Sequence, residues 1–192
     1  MQAKSSELQV PLEVLVLSNL WLPSKVDQVL LEAQSILSQC GVLFSDVIIK
    51  WINAPEHLQD LDVGSSKTIL KHVRSSGLER RISIIFARDT RMEQPYDAEA
   101  FGQGNTRTRP WLSDTAWLTL ALADKGIALA HELFHVLLNS GLHTTQPGNL
   151  MLARTTGKNR ELMTEQCGSC TKTLWCQGWL IQNRADNCFQ LN

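Results

Sequence analysis

Three of the chain's five histidines fall in one short stretch, HELFHVLLNSGLH, from His131 to His143, with Glu132 directly after the first. On an α-helix His131 and His135 stand one turn apart, so both imidazoles leave the same face and can meet one cation. Zinc at a catalytic site takes three protein ligands and keeps its fourth position for water, whose pKa falls to about 7 on coordination. A carboxylate next to the first ligand, as Glu132 is, can lie beside that water as general base and then carry the proton to a leaving amine. The chemistry indicated is metal-assisted hydrolysis. The competing reading is an apolar helix with packed imidazoles, the ordinary role expected of His57 and His72. Burying two imidazoles and a glutamate with neither metal nor partner is costly, which favours the metal.

The longer passage HELFHVLLNSGLHTTQPGNLM resembles the signature of the metzincin zinc metallopeptidases, H-E-x-x-H-x-x-G-x-x-H followed by a methionine turn, and within them the archaemetzincins. The resemblance implies one catalytic zinc ion held by His131, His135 and His143, with Glu132 as the base and Met151 as the methionine beneath the metal. The spacing departs from the pattern. Five residues separate His135 from Gly141 where the family has two, and only Leu142 separates Gly141 from His143, a net insertion of two residues. The interval from His143 to Met151 is that of archaemetzincins, in which cysteines flank it and a later C-x-x-C completes a second, structural zinc site. Thr144 and Asn149 stand at the flanking positions here, while Cys167 and Cys170 of CGSC remain. A complete second ion site of that kind is therefore not expected. Cys176 and Cys188 stay open as substitute ligands, disulfide partners or free thiols. Many metzincins also place an oxyanion-stabilising tyrosine just after the turn. The single tyrosine here, Tyr96, is far from it, leaving Arg154 or the metal alone for that task.

The leading expectation is thus a zinc metallopeptidase acting on protein or peptide substrates, with an extended peptide held at a sheet edge. Trp111 and Trp117, near that edge, read either as a side-chain pocket or as core. Two alternatives keep the cluster but change its use. In one, Glu161 or Glu165 of NRELMTEQC replaces His143 as third ligand. In the other, the protein is an inactive metal-holding binding or interaction module.

The elements that must position these residues follow from periodicity. PLEVLVLSNL after Pro11 reads as a buried first strand, and Val26, Val29, Leu30, Ala33, Ile36 and Leu37 then recur at helical spacing up to Gly41. VLFSDVIIKWIN and RRISIIFARD read as further strands, with a loop and a short helix between them, and TAWLTLALA as another strand ending at Asp124. The polar segment 88–110 reads as an exposed connection. Asp124 is placed to cap a helix from Lys125 that Gly141 would stop, and GKNRELMTEQCGSCTKTLW reads as a closing helix. The fold class expected is α/β: a single zincin-like domain over 1–192, with a twisted mixed sheet over the active-site helix and a C-terminal helix.

Composition bounds the partners. With 192 residues, 43% hydrophobic and 19% charged, the chain matches a globular domain able to bury its own core. A formal net charge of −1 gives no field to draw in nucleic acid or anionic lipid, and RSSGLERR reads as solvated surface. Neither a signal peptide nor a transmembrane run is recognisable, so the default expectation is cytoplasmic, with no membrane partner. Five cysteines, clustered towards the C-terminus, leave the redox compartment open.

Overall fold

Leu8–Val16 forms strand β1, and residues 12–16 are buried without alternation, the mark of a strand covered on both faces. The computed structural model describes residues 7–52, 54–60, 66–73, 81–89, 98–101, 110–154 and 156–176. The strand begins before Pro11. That proline has no N–H for the ladder, and its pairing with β2 (Val42–Trp51) shifts register between Pro11 and Glu13, where Asp46 takes a φ of 44°. Helix α1 (Pro23–Leu37) follows with proline in its first turn, buries the six apolar positions expected, and ends through a short 3-10 turn at Gly41, whose φ of 70° suits glycine.

The remaining elements are α2 (Ser66–Val73), β3 (Ile82–Phe86), β4 (Ala98–Phe101), β5 (Thr115–Leu118), α3 (Lys125–Leu138) and α4 (Thr164–Cys176). They build a five-stranded sheet of order β2-β1-β3-β5-β4, in which β1, β2, β3 and β5 are parallel and β4 closes one edge antiparallel to β5. Strand alternation splits the core in two. Val14, Val16, Ile84 and Phe86 pack with α1 and α3 on one face, while Leu15, Ile85 and Trp117 pack with Ile69 and Leu70 of α2 on the other. Where α1 and α3 meet, Gly126 leaves room for the Glu32 side chain, since a Cβ there would stand 2.5 Å from Glu32 Cβ. Among the described residues no helix is long and apolar enough to cross a membrane.

Two expectations are corrected. The segment 88–110 is not only a connection: it contains the edge strand β4, whose four residues are too few to show a period of two. Strand β5 covers only the first four residues of TAWLTLALA. Of the two readings of the tryptophans, core is the one that holds for Trp117. It is 1% exposed inside the α2-side core, its Nε1–H donating to Thr115 Oγ1 at 3.0 Å, and Trp111 is half-buried with the Lys67 ammonium 4.9 Å above its ring.

Candidate metal centre

Helix α3 carries the first two histidines, and its composition explains its place. Gly126 to His131 and Leu133 to Leu137 are buried, so Glu132 is a half-buried acid within an otherwise buried run. Asp124 occupies the N-terminal cap position, but its side chain makes no capping hydrogen bond; its carbonyl accepts from Ala128 N–H at 2.9 Å. Gly141 does not stop the helix. The chain turns at Asn139, whose φ of 49° is left-handed, a conformation asparagine tolerates better than other side chains except glycine. From this reversal the next segment returns His143 to the two histidines of the helix.

The three imidazoles converge. Nε2 of His135 lies 3.0 Å from Nε2 of His131 and 3.2 Å from Nε2 of His143, and the last two are 3.3 Å apart. Two zinc–nitrogen bonds of about 2.0–2.1 Å at a tetrahedral angle put their nitrogens about 3.3–3.4 Å apart, so the set fits one such ion with little adjustment. Proton placement agrees with this. His131 Nδ1 lies 2.7 Å from the Leu150 carbonyl, and His135 Nδ1 lies 2.7 Å from the Ser140 carbonyl. A carbonyl only accepts, so both Nδ1 atoms carry hydrogen. Burial lowers the pKa of His131 and brings that of His135 down to about 4, so both rings are neutral at pH 7 and their Nε2 lone pairs face each other. Bare lone pairs at 3.0 Å repel unless a cation lies between them. The same Nδ1 bonds hold the rings in the orientation a metal needs.

A buried polar clamp shapes the turn that carries Met151. Asn149 Oδ1 accepts from Met151 N–H at 2.9 Å and from Gln166 Nε2 at 3.2 Å, and Asn149 Nδ2 donates to Gln166 Oε1 at 2.9 Å. Asn159 Nδ2 donates to the Asn149 carbonyl at 3.1 Å, and Thr144 N–H donates to the Met151 carbonyl at 2.9 Å, tying the third histidine's segment to the turn. Met151 is buried there. A disulfide from Cys40 to Cys167 fastens the start of α4 to the end of α1, and the Cys170 thiol is buried, its pKa pushed up to about 12. With Cys167 in that bond, CGSC is not a ligand pair.

Among the described residues the converging metal-capable group is His131, His135 and His143, with donor atoms all within 4.8 Å. Neither Glu161 nor Glu165 joins it. Glu161 lies by Gly148 and pairs its backbone with Leu150, while Glu165 lines a hollow beside His143. His57 sits exposed in a 3-10 turn, and His72 lies on α2. Tyr96 and Cys188 lie outside the described residues. The Asn149–Gln166 clamp and the carbonyls of Ser140 and Leu150 escape sequence reading, since a backbone carbonyl carries no residue signature. Asn139 did carry one: asparagine is the residue, after glycine, that ends helices in the left-handed region.

The fold is similar to that of two solved structures. It matches the crystal structure of metalloproteinase-II from Bacteroides fragilis with a TM-score of 0.67 at 14% identity, over 90% of this chain and 55% of that one. The chain thus spans about half the length of the Bacteroides protein. It also matches archaemetzincin from Methanopyrus kandleri with a TM-score of 0.58 at 15% identity, over 91% of this chain and 99% of that one. No protein-family model and no curated protein matches the sequence. At these identities the likeness defines an α/β fold shared with metallopeptidases.

Proposed function

We propose that the chain is a zinc-dependent metallopeptidase, a single archaemetzincin-like catalytic domain, with His131, His135 and His143 holding one zinc ion. The observation that carries this is the facing of three Nε2 atoms 3.0–3.3 Å apart, with the Nδ1 protons of His131 and His135 already committed to carbonyls. Bound there, zinc would act as a Lewis acid, lowering the pKa of a coordinated water to about 7 and polarising a carbonyl. The chain's own residues do the rest. Glu132, next to the first ligand and outside the converging donor set, accepts the proton of the attacking water on its carboxylate and delivers it to the leaving amide nitrogen. The outer edge of β4, the strand that lies against α3, offers backbone groups to an extended peptide. Protein or peptide is therefore the substrate class.

The test is Glu132→Gln. The variant should retain one zinc per chain and lose hydrolysis of a peptide library by a factor of about a hundred or more, the scale of a lost general base. Undiminished turnover removes Glu132 from its role. A wild-type chain that binds zinc and cleaves nothing would be the metal-holding interaction module instead. That reading is favoured by one feature, the lack of any tyrosine between Met151 and Cys176.

A further inference from the structure

Beside the third histidine a hollow of about 310 Å³ opens between the end of α3, the methionine turn and the first turns of α4. That is enough for one long side chain rather than a large ligand. Its walls are chemically graded. Leu138, Leu142 and Met151 supply apolar surface, His143 borders it on the metal side, and Glu165 and Ser169 of α4 line it too. Glu165 and Ser169 are four residues apart, so both point from one helix face, and both are exposed.

The geometry points to this hollow as a side-chain pocket that selects a lysine or arginine of the substrate, with Glu165 as the specificity-determining residue. This rests on the peptidase reading above. A basic side chain is an apolar stem of three or four methylenes with a cation at its tip, which matches a pocket of apolar walls with a carboxylate at its rim. Glu165 forms no ion pair among the described residues, so its carboxylate has no resident cation for a substrate to displace. Its backbone is held firmly. Gln166 accepts from Met163 N–H at 2.8 Å and is clamped to Asn149, while Cys167 is fixed to Cys40. The stretch of α4 that carries Glu165 is therefore fixed beside His143, which limits what ordering the side chain costs on binding.

The experiment compares peptides identical except for Lys, Leu or Glu at the two positions flanking the scissile bond. Turnover is read in zinc-loaded protein with Glu165 intact and in Glu165→Gln and Glu165→Lys. Binding is read by fluorescence anisotropy in zinc-loaded Glu132→Gln with and without the Glu165→Gln change. A charge-assisted contact corresponds to a preference for Lys over Leu of about tenfold, reduced to near unity by Glu165→Gln and turned towards Glu by Glu165→Lys. Thermal stability of each variant separates this from a merely structural role, which would move melting and leave the preference. Turnover without a Lys preference, or a preference that survives Glu165→Gln, overturns the pocket and spares the peptidase reading. A Lys preference in binding with no turnover by the wild type does the reverse. Absence of both binding and turnover overturns both.

Discussion

Acidifying the metal-free protein probes the enclosure of His135. Folded, the ring is held at a pKa of about 4, first by burial and then by neighbouring His131, against the pull of the Ser140 carbonyl. Unfolded, it returns to about 6.5. The folded value is the lower one, so between the two values the unfolded chain binds more protons. Stability is then full above about pH 6.5 and falls as pH drops towards 4. A gap of about 2.5 pH units at about 1.4 kcal/mol each amounts to roughly 3 kcal/mol. With the residue 8% exposed, solvent screening removes little of this. His131, lowered chiefly by burial, acts in the same direction. Urea denaturation followed by circular dichroism in the presence of chelator, at half-unit steps from pH 8 to 4, should show wild type losing about 3 kcal/mol more than His135→Gln. Equal slopes in the two proteins would refute the reasoning.

Other consequences are independent of acid. Asn149→Ala removes three side-chain hydrogen bonds and strands Met151 N–H, so urea unfolding should show a loss of about 3 kcal/mol, and zinc affinity should fall about ten- to a hundredfold. Reducing the Cys40–Cys167 bond, or Cys40→Ser, releases a link spanning 127 residues and should lower stability by up to about 4–5 kcal/mol, read as a shift in the denaturation midpoint. Gly126→Ala drives a methyl group into Glu32 at the α1–α3 contact and should cost about 1–3 kcal/mol, seen as a lower melting temperature.

The convergence of the three histidines was more legible than the scaffold around them. His131 and His135 share a helix face wherever that helix lies, so the spacing alone carries them. His143 depended on how the chain reverses, and the reversal falls at Asn139, two residues before the glycine that reads as the stop. Helix α1 was visible because six apolar residues, Val26 to Leu37, keep one period over about three turns. Strand β4 was not, because four residues inside a polar segment take their conformation from pairing with β5. Trp117 shows the same limit. Which face of β5 it occupies is set by the sheet's partners, and it lies on the side away from α3. The Cys40–Cys167 bond joins residues far apart in sequence, a pairing that cysteine spacing cannot fix.

The most direct measurement is the coordination of zinc itself, by metal analysis and X-ray absorption on the stripped and reloaded protein. One zinc per chain, with three imidazole nitrogens at about 2.0–2.1 Å and one oxygen, is the expected result, and His143→Ala should weaken binding sharply. A sulfur neighbour, or affinity unchanged by the loss of His143, would contradict the three-histidine centre.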